Sequence, residues 1–78
     1  MQPSEIRDTI IKPKLEEIFG KAIGNLLLTT GVLACMGIRS EEEKYKKMIQ
    51  TICSEPEVIS MWGEAGARKQ MNEWLDLI

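Results

Sequence analysis

The chain has 78 residues with ten basic and twelve acidic side chains, two cysteines and no histidine. A chain of this length forms one domain, which buries only about 60 % of the surface that its unfolded state exposes. The mixed charge excludes the basic field that a duplex-binding protein needs to offset phosphates. Without histidine, the commonest general base and metal ligand are both missing, so we expect no enzyme, no metal site and no cofactor.

The first segment, residues 3–19, has the three-and-four spacing of apolar residues that is typical of an amphipathic helix. Pro13 interrupts this spacing, because proline lacks a backbone donor and clashes with the carbonyl four residues earlier. We therefore expect a kink or a break near Lys12 and the end of the segment at Gly20. The apolar positions are Ile6, Ile10, Ile11, Leu15, Ile18 and Phe19.

A run of seventeen uncharged residues follows, from Ala22 to Ile38. It is too short and too polar for a membrane span, which needs about twenty apolar residues. It predicts a central helix over about residues 22–36 that is apolar on nearly every side, so that the other helices, and also a second copy or a partner, would cover it. One broad arc holds Ile23, Leu26, Leu27, Leu33 and Ala34, and a narrow groove of small side chains holds Gly24, Gly31 and Cys35.

The next helix begins with the clearest local signal in the chain. Ser40 and Glu43 form the capping box of "SEEE", and Tyr45, Met48, Ile49 and Ile52 supply a buried stripe. Three glutamates, Glu41 to Glu43, precede Lys44, Lys46 and Lys47 at spacings that suit surface ion pairs. The same pattern in "SEPE" predicts a second cap at Ser54, with Pro56 in the first turn of another helix.

The last segment carries a packing stripe of Ala67, Met71, Trp74 and Ile78. Gly63 and Gly66 weaken its middle, since a glycine costs a helix interior about 1 kcal/mol. The sequence leaves open whether residues 55–62 and 64–77 are two helices or one bent helix.

Tryptophan and methionine, which are enriched at binding surfaces, gather in this last third of the chain. We therefore predict that a protein partner binds there, although packing in the core is the alternative for each residue. The candidate residues are Met61, Trp62, Met71, Trp74 and Ile78.

The two cysteines have neither the spacing of a redox motif nor that of a disulfide framework. Together with an amino-terminal stretch that lacks the apolar core of a secretory signal, they indicate a cytoplasmic protein with reduced thiols. Cys53 is the expected more exposed thiol and the candidate for reactivity, whereas buried cysteines usually behave as small hydrophobic residues.

The sequence thus predicts an all-α domain over residues 1–78, a bundle of four to five short helices. Its expected function is that of a non-catalytic protein-interaction module, regulatory or accessory, which self-associates through apolar helix surface. An accessory subunit or fragment of an enzyme with a site at an interface, using Cys53, is one alternative. A weak nucleic-acid binder using Lys44, Lys46 and Lys47 is the other.

Overall fold

The computed structural model describes residues 2–78, and this part of the chain contains helices and turns but no strand. The predicted small all-α bundle is confirmed. In chain order the elements are α1 (Pro3–Ile6), a π-helical turn (Arg7–Ile11), α2 (Lys12–Phe19), α3 (Lys21–Ala34), α4 (Glu41–Cys53) and α5 (Pro56–Leu75).

Pro13 widens the first helical segment rather than breaking it. The Lys12 amide donates to the Arg7 carbonyl, five residues back, and the backbone at Lys12 stays helical. A π-helical turn absorbs one extra residue, so the inward positions are spaced by five and then by four. Ile6, Ile11 and Leu15 are consequently fully buried. The backbone does not break near Lys12 but continues through this wider turn, and the segment ends at Gly20 as predicted.

Helix α3 lies between α2 and α4 and packs on them with its small residues. A Cβ atom at Gly24 would lie 2.8 Å from the Glu16 amide nitrogen, and one at Gly31 would lie 2.9 Å from side-chain carbons of Met48 and Ile52. Only glycine permits approaches this close. Neither α3 nor any other helix in the described part of the chain is long and apolar enough to cross a membrane.

Helix α4 provides the largest share of the core. Ser40 caps it by accepting a hydrogen bond from the Glu43 amide at 3.3 Å. The predicted stripe is buried along its whole length, and it consists of Tyr45, Met48, Ile49 and Ile52. α4 therefore has the inward face that its sequence indicates and the Ser40 half of the predicted capping box, while the Glu43 carboxylate lies 3.8 Å from Lys46 Nζ.

The second predicted cap is wrong. The N-cap position of α5 is occupied by Glu55, not Ser54, and the Glu55 side chain makes no capping hydrogen bond. The Ser54 hydroxyl instead donates to the Gln50 carbonyl at 2.7 Å. Ser54 thus closes the carboxyl end of α4, where unpaired carbonyls are available, and does not open the next helix.

Helix α5 bends sharply at Gly63, whose φ of 74° and ψ of 167° are not helical. Of the two alternatives left open by the sequence, two helices are therefore present within Pro56–Leu75, and they meet at a kink at Gly63. Trp62 and Trp74 would be about 18 Å apart along a straight helix, yet their ring centroids are 6.2 Å apart in an edge-to-face contact. Phe19 joins them with its ring 5.8 Å from that of Trp62. The kink folds α5 back so that its two halves share one aromatic cluster.

We predict that Gly63→Ala destabilises the protein by about 1–3 kcal/mol, the usual cost of a non-glycine residue in a backbone region reserved for glycine. No atom lies within 4 Å of the added Cβ, so the effect isolates backbone strain. Urea unfolding measures it. Ser60→Ala, at an exposed helical position nearby, should stay within about 0.5 kcal/mol of the wild type. Equal stabilities for the two variants would contradict the account of the kink.

Candidate interaction surface

One side of α3 exposes several large apolar side chains to solvent. Leu26 is 62 % exposed, Leu33 59 % and Ile23 43 %. These residues and Thr30 follow a three-four-three spacing along one side of the helix, with small exposed residues beside them. We call this surface the α3 face; it comprises Ala22, Ile23, Leu26, Thr29, Thr30, Leu33 and Ala34.

The packing of the glycines explains why these large residues point outward. Sequence periodicity groups Ile23, Leu26 and Leu33 with Leu27 in one arc, but Leu27 alone of these is buried. The opposite, narrow groove of small residues is the side that meets α2 and α4. Apart from Leu27, the broad arc is therefore the free side of α3, and the close contacts of Gly24 and Gly31 identify the packed side.

The α3 face carries no charge, and the one hydroxyl in its central row, that of Thr30, is already paired. Lys21 is the only charged residue in α3 and stands at its first position. The Thr30 hydroxyl donates to the Leu26 carbonyl at 2.9 Å within the same helix. Covering this hydroxyl therefore leaves no donor without a partner, which removes the main cost of burying a polar group.

The residues predicted to bind a partner near the carboxyl end have different environments. Trp74 is buried, Trp62 and Met71 are half-buried, and Met61 and Ile78 are exposed. The structure brings the two tryptophans together inside the aromatic cluster described above. Of the five residues, Met61 (54 %) and Ile78 (37 %) have side chains free enough to meet another molecule.

Tyr45 connects α4 to the end of α5 through a buried hydrogen bond. Its hydroxyl donates to the Trp74 carbonyl at 2.6 Å. Burial raises the pKa of Tyr45 from 10.0 to about 12. No sequence pattern signals this bond, because its partners are far apart in the chain and the acceptor is a backbone atom.

The expectation that Cys53 is the more exposed thiol is wrong. Both cysteines are free and buried, with Cys53 at 6 % exposure and Cys35 at 8 %. Burial raises the pKa of Cys53 to about 11, and the Cys35 thiol donates to the Val32 carbonyl at 3.1 Å. A nucleophilic cysteine requires a thiolate, so the environment of Cys53 disfavours that role.

The lysines of α4 engage the glutamates that precede them. Lys44 Nζ lies 3.5 Å from Glu41 Oε1, and Lys46 Nζ lies 3.8 Å from Glu43 Oε1. The predicted surface ion pairs are thus present for two of the three lysines. Exposed pairs of this kind contribute about 0–1 kcal/mol each, but they reduce the positive charge available to a phosphate.

An open groove of about 310 Å³ lies where α1, α3 and α4 meet, and Arg7, Cys35, Glu41 and Lys44 are among its lining residues. Its charged groups are paired, since Arg7 Nε lies 3.0 Å from the Asp8 carboxylate and Lys44 lies beside Glu41.

Among residues 2–78, no group of three or more histidine, cysteine or acidic side chains could hold a metal ion.

Comparison of this chain with protein-family models, curated proteins and solved structures finds no match. The exposed, uncharged α3 face is therefore the main indication of function that this chain offers.

We predict that Tyr45→Phe lowers stability near neutral pH by about 1–2 kcal/mol, because the Trp74 carbonyl loses its buried donor. Burial favours the neutral phenol, so the contribution of Tyr45 is complete below pH 10.0 and is lost as the pH rises through about 12. The stability difference between wild type and variant should therefore shrink over that interval. Chemical unfolding at several pH values tests this. A difference that stays constant across the interval would show that Tyr45 does not titrate as argued.

We further predict that neither cysteine reacts appreciably with a thiol-specific reagent while the protein is folded, and that both react in denaturant. The cause is the burial of both thiols, since only an accessible thiolate is nucleophilic. Ser60→Cys places a thiol at an exposed helical position and should add one fast-reacting group. Rapid labelling of Cys53 in the folded wild type would restore the interpretation of Cys53 as a reactive thiol.

Proposed function

We propose that this protein is a non-catalytic protein-interaction module that self-associates through the α3 face. The observation that carries the proposal is the exposure of Ile23, Leu26 and Leu33 in one uncharged row. Small proteins tolerate single exposed apolar residues, but a contiguous apolar surface is typical of an interaction site. We place this module in the cytoplasm, because the reducing conditions there would keep its two free cysteines reduced.

The expected gain from covering the α3 face is comparable to the cost of association. Burying the exposed parts of Ile23, Leu26 and Leu33 in two copies contributes roughly 5–10 kcal/mol. Association costs about 4–15 kcal/mol in translational and rotational freedom. Because the two ranges overlap, the proposal is a weak, concentration-dependent complex rather than a permanent one.

The exposed part of the carboxyl-terminal set is the competing location for an interface. Met61 is about as exposed as the residues of the α3 face, but its neighbours Ser60 and Glu64 are exposed and polar. An interface centre is depleted in charge and rich in apolar contact. The α3 face meets that description more fully than the surface around Met61.

We predict that Leu26→Glu abolishes self-association and that Met61→Glu leaves it unchanged. The two variants are matched, since both place a carboxylate at an apolar side chain of similar exposure, 62 % and 54 %. Leu26→Glu would bring an uncompensated charge into the centre of the interface, which typically costs several kcal/mol. Sedimentation equilibrium over a range of concentrations measures the effect.

Far-UV circular dichroism should give the same helix content for both variants, because neither side chain belongs to the core. A wild type that remains monomeric at the highest concentration would refute self-association. Loss of association in Met61→Glu but not in Leu26→Glu would move the interface to α5.

A further inference from the structure

We infer that two copies of this chain pack their α3 helices antiparallel, with Ile23 of each copy against Leu33 of the other and Leu26 against Thr30. The inference rests on the proposed self-association and specifies its geometry. The occupant of the α3 face is a second copy of the same surface.

The spacing of the α3 face is symmetric along the helix. Ile23, Leu26, Thr30 and Leu33 are separated by three, four and three residues, so the row reads the same in both directions. A dimer with a twofold axis needs one surface that complements itself. When two such rows pack antiparallel, each residue of one row faces a residue of the other: Ile23 faces Leu33, and Leu26 faces Thr30.

The sizes of the side chains favour this register over a parallel one. Three-four-three is the spacing of the inner positions of a two-stranded coiled coil, where side chains of one helix enter spaces between those of the other. In the antiparallel register Thr30, the smallest of the four, lies beside Leu26. In a parallel pair the two copies of Thr30 would face each other and leave a gap between the leucine layers, and such gaps forfeit packing contacts. Ala22, Thr29 and Ala34, beside the row, are small enough to let the two backbones come close.

The ends of α3 favour the antiparallel arrangement as well. Its first turn contains no acidic residue and its last turn no basic residue, and no side chain caps its start. The partial positive charge at the first turn and the partial negative charge at the last turn are therefore uncompensated by the helix itself. Antiparallel packing places the opposite ends of two helices side by side, whereas parallel packing places like ends together.

The extent of the surface predicts a weak dimer. Fourteen helical residues span about 21 Å, and a contact between two helices of this length falls below the roughly 1,200 Å² of a stable complex. Met36, 71 % exposed, lengthens the surface beyond Leu33. The antiparallel register brings Met36 next to Gly20 of the other copy. No atom lies within 4 Å of the position that a Cβ atom would take at Gly20, so this site has room for the Met36 side chain.

A pair of double variants tests the orientation. Ile23→Glu combined with Leu33→Lys puts a glutamate opposite a lysine twice in the antiparallel dimer, but glutamate opposite glutamate and lysine opposite lysine in a parallel one. Ile23→Glu combined with Leu33→Glu opposes like charges in both orientations. Both changed side chains are exposed in the single copy, and Glu and Lys are good helix formers, so circular dichroism should report an unchanged fold.

We expect the Glu–Lys variant to associate at least about tenfold more tightly than the Glu–Glu variant at low ionic strength, with the difference decreasing as salt is added. Sedimentation equilibrium gives both dissociation constants. An equimolar mixture of the single variants Ile23→Glu and Leu33→Lys should likewise associate more tightly than either variant alone.

The possible failures are distinguishable. If the wild type does not associate, the proposed function itself fails. If the wild type associates, Leu26→Glu does not, and the mixture of the two single variants associates no more tightly than either variant alone, self-association through the α3 face stands and the antiparallel register is overturned.

Discussion

The absence of side chains at Gly24 and Gly31 determines how the rest of this structure is arranged. These glycines lie where the backbone of α2 and the side chains of α4 come closest to α3. Because the neighbours can approach only on this side, α3 must turn its small residues inward. The large aliphatic residues on its other side are then left in water, although they are the most hydrophobic part of the helix. The packed side of α3 and its free side thus have one common cause.

Gly63 has a comparable role in α5. It allows α5 to bend back so that Trp62 and Trp74 meet, and the Tyr45 hydroxyl then reaches the Trp74 carbonyl. The two indoles therefore belong mainly to the core, where they close α5 over α4. The carboxyl-terminal third accordingly contributes stability through its aromatic rings, and its exposed large apolar side chains are Met61, Leu77 and Ile78.

Local signals in the sequence predict the helices well and their mutual packing poorly. Ser40 and the stripe from Tyr45 to Ile52 could be identified because capping and periodicity depend on neighbours within a few residues. The orientation of α3 could not, because both of its sides are apolar and the choice between them depends on contacts with α2 and α4. Ser54 was misplaced for a related reason: a serine between two helices can close the first or open the second. The sequence indicates an excess of apolar helix surface, but where this surface lies depends on how the helices pack.

The α3 face contributes differently to the free energy of folding and to the free energy of the proposed association. The exposed parts of its side chains are in water in both the unfolded chain and the folded single copy, so these parts add little to the folding free energy. The stability of one copy depends instead on the buried residues of the first segment, α4 and α5. In the proposed dimer, Ile23, Leu26 and Leu33 would leave water, and only folded copies present them in one row. Binding that is restricted to the folded state stabilises that state by mass action. If the proposed self-association holds, the apparent stability of this protein rises with its own concentration, and the α3 face would link its folding to its assembly.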